Sequence, residues 1–190
     1  MLRYKIQKNM ENIKKKRIYK NFFELNIKFD KKNESTEIKE NYVFNGNSVS
    51  AICYNEKLKL FYFIKQFRPT YYFSKLSTSP LEIVAGGINK NETSREAIKR
   101  EIQEELGVKP LVLKKLDTLI IAPDILEEMT DIYLAKVPEI KNFKISNPQE
   151  GEFIKIVPLK KNDIYKLLRS NKPQNIVTKY ILFKIKELKI

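Results

Sequence analysis

Apolar and polar positions alternate through much of the chain, and the alternation predicts a β-rich fold with a few helices. Between Ile18 and Phe29, the residues Tyr19, Phe22, Phe23, Leu25, Ile27 and Phe29 are spaced as in a half-buried strand. Asp30 to Ser35 is polar and predicts a turn. Glu37 to Phe44 predicts a second strand, ended by the turn Asn45-Gly46-Asn47. Ser48 to Tyr54 and Leu58 to Gln66 predict a hairpin across Asn55-Glu56-Lys57. Its run Leu60-Phe61-Tyr62-Phe63-Ile64 is apolar on both faces, as a central strand is. Pro69 to Pro80 predicts a loop, and Leu81 to Ala85 a short strand. Leu111 to Ile121, Thr130 to Val137 and Phe153 to Val157 read as further strands, Asn162 to Arg169 and Pro173 to Leu188 as helices.

One segment changes period. Ile98, Ile102 and Leu106 recur every four residues, the stripe of an amphipathic helix. Thr93 has the character of an N-cap, and Glu96 three residues later gives capping-box spacing. Ser94 to Leu106 contains good helix formers and neither Pro nor Gly. Gly107 then predicts a left-handed stop, with Pro110 beyond it. The whole reads as α+β, with residues 1–45 an N-terminal antiparallel β extension and 46–190 the main domain.

Composition bounds the rest. A chain of 190 residues with 42% apolar content, 11 Phe and 10 Tyr can bury a substantial core. No stretch approaches the roughly 18 apolar residues of a membrane span, and Met1 to Lys5 lacks the pattern of a signal peptide. Cys53 is the one cysteine, so an internal disulfide is excluded; it lies in an apolar run, and a reducing cytoplasmic location fits. Net charge is +14, which draws phosphate-bearing molecules. The lysines are spread along the chain, densest at Lys14 to Arg17 and near the C-terminal end, which argues against nucleic acid as the primary partner. Histidine is absent, so acid–base chemistry falls to carboxylates, lysine or tyrosine.

The candidate chemistry lies on the predicted helix. At 100° per residue, Glu101, Glu104 and Glu105 fall within roughly a third of a turn, beside the apolar stripe. Such like-charged neighbours repel, and a cation would relieve them. Hard oxygen ligands suit Mg²⁺ or Mn²⁺. From Gly86 the chain spells G-x5-E-x7-R-E-U-x-E-E-x-G-U, with U an aliphatic residue, through Glu92, Arg100, Glu101, Ile102, Glu104, Glu105, Gly107 and Val108. This is the Nudix box, and the chain resembles the Nudix hydrolases. Such a likeness implies a mixed sheet between helices and metal-dependent cleavage of a diphosphate.

Further segments resemble the ADP-ribose and nucleoside diphosphate sugar pyrophosphatase branch: Lys65-Gln66-Phe67-Arg68-Pro69, Leu81-Glu82-Ile83-Val84-Ala85-Gly86, and Gln149-Glu150-Gly151-Glu152-Phe153. Together with the box, the resemblance covers roughly residues 15 to 187. It implies that the Ala85 carbonyl, Glu101, Glu105 and Glu152 hold metal, and that Glu104 is a ligand or a close catalytic support. Arg100 would orient a motif carboxylate, with Glu92 as its partner, and Glu150 would be the general base. Arg68, Glu82 and Gly86 match substrate positions. Plainer roles stand beside these. Arg68 could simply end a strand, Glu150 and Glu152 could be ordinary loop acids, and Tyr71, Tyr72 and Phe73 could stack a base or pack beneath a loop. Pro123, sixteen residues after Gly107, matches a marker of the ADP-ribose branch, but the flanking Ala122 and Asp124 depart from the family's S-P-G. Asn91 stands where Gly often precedes the box glutamate and tolerates a left-handed backbone.

The function implied is Mg²⁺-dependent hydrolysis of ADP-ribose or a related nucleoside diphosphate sugar. The alternatives are a UDP-glucose or GDP-mannose type pyrophosphatase and, in a different class, an RNA-binding or RNA-processing Nudix protein. Relatives in this branch are usually homodimers whose N-terminal strands help build the partner's site. The segment Tyr19 to Phe44 is compatible with this, because two strands alone would be marginal.

Overall fold

The computed structural model describes residues 10–31, 34–76, 79–147, 152–170, 172–188 and 190. They form two compact units, one of Met1–Asn47 with Ile120–Glu128, the other of Ser48–Leu119 with Met129–Ile190.

The first unit is a sheet of β1 (Met10–Tyr19), β2 (Phe22–Lys31), β3 (Glu34–Phe44) and the short β9 (Leu126–Glu127), in the order β1-β2-β3-β9. The strand expected from Ile18 to Phe29 is instead broken by a hairpin turn at Lys20 and Asn21, where Lys20 takes a positive φ of 45°. Tyr19 pairs with Phe22 across it. No strand was expected over Lys14 to Arg17, because lysines there mask any alternation. The register explains how they fit. Lys15 lies opposite Leu25 and Arg17 opposite Phe23. The Lys15 ammonium sits 4.2 Å from the Phe23 ring centre and 5.0 Å from that of Tyr42, so the cation rests on an aromatic surface. The expected turn over Asp30 to Ser35 is tighter than its polarity suggests, since Asp30 pairs with Ser35 and Lys31 with Glu34. The Pro123 segment turns through Ala122, whose carbonyl accepts from Ile125 and Leu126 N–H, and then pairs parallel to β3.

The second unit is built on an eight-stranded sheet running β11-β12-β5-β4-β10-β8, with β6 on β5 and β7 on β4. These are β4 (Ser48–Asn55), β5 (Leu60–Lys65), β6 (Leu81–Glu82), β7 (Val84–Gly87), β8 (Val112–Ile120), β10 (Met129–Lys136), β11 (Lys144–Asn147) and β12 (Glu152–Leu159). Its described residues include four helices: α1 (Pro69–Phe73), α2 (Ser94–Leu106), α3 (Lys161–Arg169) and α4 (Ile176–Glu187). β4 and β5 are buried on both faces, which is why their sequences are almost continuously apolar. Val49, Ala51, Cys53, Tyr62 and Ile64 pack with Ala97, Ile98, Ile102 and Leu106 of α2. Ile52, Tyr54, Phe61 and Phe63 pack on the opposite face with Ile164 of α3 and Ile181, Leu182 and Ile185 of α4. The α+β layering expected of the chain is therefore realised as a mixed sheet between helices.

One departure from a simple hairpin creates the functional end of the sheet. β4 and β5 pair only from Cys53–Tyr62 to Asn55–Leu60. Beyond that they diverge. β7 takes the vacated edge of β4, with Ala85 opposite Ser50 and Gly86 opposite Val49. β6 takes that of β5, with Glu82 opposite Ile64. The single strand expected over Leu81 to Ala85 is thus two strands serving two neighbours, with Ile83 buried between them. The loop expected from Pro69 holds the single-turn α1, and α4 begins at Ile176 rather than Pro173 because Asn175 caps it.

Candidate active site

The motif helix forms by its local chemistry. Thr93 and Glu96 close a reciprocal capping box, and Gly107 ends the helix in the left-handed region at φ 71°. Ahead of it, Asn91 also adopts a left-handed φ of 66°, which its short polar side chain permits. That turn presents Glu92 toward the helix.

Arg100 organises the carboxylates. Its Nε and Nη2 donate to Glu92 at 2.9 and 3.0 Å. Nη1 donates to Glu101 Oε1 at 2.6 Å and to Glu104 Oε2 at 2.9 Å, and Nη2 also reaches the Gly87 carbonyl at 2.8 Å. Charge-assisted bonds of this kind are short and strong. They raise the guanidinium pKa further, Glu92 contributing most, and the same bond holds Glu92 below the usual carboxylate range. Crowding on the helix is therefore relieved in part from within the chain. Three carboxylates share one guanidinium, so net negative charge remains.

The three helix glutamates are not equivalent. Glu101 and Glu105 are buried at 8% and 4% exposure, facing the sheet with Ala97, Ile98 and Ile102. Glu104 points to solvent, at 47% side-chain exposure. Glu105 Oε2 accepts from the Ala85 N–H at 3.2 Å, tying helix to β7. Its charge reaches the core: burial first, then Glu105, push the Cys53 thiol upward. Gly86 leaves the room that the Glu101 carboxylate fills: a Cβ built there would overlap that carboxylate and push it aside.

Among the described residues, no three acidic, histidine or cysteine side chains converge as a ready metal cage. Glu101 is turned toward Arg100, and Glu152 opens β12 with a side chain outside the described residues. Glu150 also lies outside them. The donors that are described fit a hard divalent cation. Two buried carboxylates lie on one helix face, Ala85 is adjacent, and a cradle lacking a Cβ holds one of the carboxylate groups.

The second group of sequence-predicted residues is joined in an ion pair. Arg68 precedes α1 as its N-cap residue, and Nε and Nη2 donate to Glu82 Oε2 at 3.0 and 2.8 Å. Glu82 is largely buried, whereas Arg68 keeps 40% side-chain exposure. Tyr72 and Phe73 are exposed and do not pack beneath a loop; Tyr71 is half-buried. Sequence reasoning missed Asn175, whose side-chain amide donates to Glu82 Oε1 at 3.3 Å. The available signal was an Asn directly before the apolar run Ile176 to Ile185, the mark of an N-cap.

Comparison with known proteins follows the same lines. The NUDIX domain matches residues 45–178. ADP-ribose pyrophosphatase of Bacillus subtilis (strain 168) is 27% identical over 119 residues, a match that takes in 63% of this chain and 61% of that protein, less than two thirds of its length. GDP-mannose pyrophosphatase of Cronobacter sakazakii (strain ATCC BAA-894) is 24% identical over 155 residues, 80% of this chain and 81% of that one. A crystal structure of an ADP compounds hydrolase superposes with a TM-score of 0.73 at 18% identity, covering 94% of this chain and 91% of that one.

Proposed function

This chain belongs to the NUDIX domain family, and on that premise we propose that it hydrolyses the diphosphate bond of ADP-ribose or a related nucleoside diphosphate sugar. The products are a nucleoside monophosphate and a sugar phosphate. The observation that carries the reading is the seating of Glu101 on Gly86 beside buried Glu105 and Ala85, with Arg100 as the common clamp.

In this reading the Ala85 carbonyl, Glu101, Glu105 and Glu152 hold Mg²⁺, with Mn²⁺ a substitute. A bound divalent cation supplies charge neutralisation on the diphosphate and a more acidic attacking water. Arg100 keeps Glu101 and Glu104 in fixed rotamers, so the carboxylates need not reorganise as charge develops. Glu150 takes the proton of the attacking water. Arg68, held by Glu82 and still partly exposed, binds phosphate oxygens. The absence of histidine leaves a carboxylate as the natural base.

The likeness to GDP-mannose pyrophosphatase favours a second reading in which UDP-glucose or GDP-mannose is the substrate. A panel of ADP-ribose, UDP-glucose and GDP-mannose at one Mg²⁺ concentration, with released phosphates identified, separates the two. ADP-ribose is expected to give the highest kcat/KM. Cleavage of none of the three overturns the activity.

The four-stranded N-terminal sheet, on the same reading, joins two copies of the chain. Support comes from its exposed apolar residues, Ile18, Tyr19, Ile38 and Phe44. Sedimentation at micromolar concentration is expected to give a dimer; a monomer rejects this role. None of the described helices is long and apolar enough to cross a membrane, and a cytoplasmic location is the reading we adopt.

A further inference from the structure

We propose that Asn175, at the start of α4, is a positioning residue that aims Arg68 through Glu82. The proposal rests on the reading of Arg68 as the phosphate contact. It gives the C-terminal helix a part in substrate binding that its sequence did not disclose.

The geometry leaves Asn175 one orientation. Its Oδ1 accepts from the Thr178 N–H at 2.7 Å, the N-cap bond of α4. An amide whose oxygen is claimed by an N–H donor must turn its NH₂ the other way. That NH₂ meets Glu82 Oε1 at 3.3 Å. The remaining oxygen of Glu82, Oε2, receives both Arg68 bonds at 3.0 and 2.8 Å. Each carboxylate oxygen thus has a partner of its own, and the carboxylate plane is set by two residues rather than one. Freed from Asn175, Glu82 could rotate about its last torsion, and the guanidinium would follow it. The Asn175 backbone also lies beside the hydroxyl of Tyr71, three residues after Arg68 on α1. The chain separation is 93 residues between Asn175 and Glu82 and 14 between Glu82 and Arg68, so the triad exists only in the folded unit.

The test uses Asn175→Ser in the full chain. Serine is as good an N-cap as asparagine, so the thermal midpoint is expected to stay within about two degrees of wild type. Serine is too short to bridge to Glu82. With ADP-ribose and Mg²⁺, KM is expected to rise on the order of fivefold, the worth of one ordinary hydrogen bond, with kcat unchanged. In an Arg68→Ala background, Asn175→Ser is expected to add nothing, because the two act in one chain of contacts. The Arg68 Nε–H proton resonance is expected to be sharp in wild type through its bond to Glu82, and to broaden in Asn175→Ser. An unchanged resonance, a full further rise in KM on the Arg68→Ala background, or a fall in kcat with a lowered midpoint would each overturn the role. If Arg68→Ala leaves KM unaltered, the phosphate role of Arg68 fails instead, and the resonance still decides whether Asn175 positions the guanidinium.

Discussion

Glu105→Gln is expected to remove nearly all turnover while leaving the protein folded. The substitution is nearly isosteric, and the glutamine oxygen can still accept from the Ala85 N–H that Glu105 engages at 3.2 Å. What disappears is one negative charge at a site exposed to only 4%. Burying a charge is costly, so its removal should offset much of what its bonds lose and leave stability close to wild type. Activity should move the other way. A neutral amide is a poor ligand for a hard dication, and even residues that merely support metal ligands commonly cost 10–100-fold when replaced, so a loss of at least about 100-fold in kcat is expected. Steady-state hydrolysis of ADP-ribose beside thermal unfolding of the same preparation makes the comparison. Turnover close to wild type would remove Glu105 from the site.

Gly86→Ala should do comparable damage by a steric route. Gly86 has no positive φ, so its backbone accepts alanine. The added methyl overlaps the Glu101 carboxylate, which is the mobile end of a side chain and can swing aside. Folding is therefore expected to survive with a small drop in thermal midpoint. Catalysis is not, because Glu101 would leave both its glycine seat and its 2.6 Å bond to Arg100. A loss of about 10–100-fold in kcat/KM is expected, in the range for displaced ligand supports. Gly87→Ala is the useful contrast, since a Cβ there meets no atom within 4 Å. A smaller loss is expected at that position. Equal losses at Gly86 and Gly87 would contradict the steric account.

The parts of this molecule that could be read in advance are those whose information is local. The capping box of Thr93 and Glu96, the stripe of Ile98, Ile102 and Leu106, and the stop at Gly107 all lie within one helix and its caps. Each follows from spacing alone. The double-sided burial of β5 was legible for a related reason, because strand position leaves a mark on composition. Other features depend on what lies across space. The hairpin at Lys20 and Asn21 stays hidden because β1 is held by backbone pairing and by lysine stems lying on rings, not by apolar alternation. The separation of Leu81–Glu82 from Val84–Gly87 depends on where β4 and β5 part, which neither strand announces. Arg100 showed its acidic neighbours in sequence, but its grip on the Gly87 carbonyl is a backbone contact thirteen residues away. Asn175 and Glu82 come from opposite ends of the main unit, beyond the reach of any periodicity.

The pairing of Leu126–Glu127 with Val43–Phe44 bears on how this protein could be shortened. The N-terminal sheet is stitched to the rest of the polypeptide at three points, Asn47/Ser48, Leu119/Ile120 and Glu128/Met129, rather than at one. No scissors applied at a single peptide bond would detach it. Trimming everything before Ser48 would strand the excursion around Pro123, leaving the Ile125 carbonyl without the Val43 N–H that it now accepts at 2.8 Å. Evolution or an engineer wishing to discard the N-terminal module would have to rebuild that excursion in the same stroke.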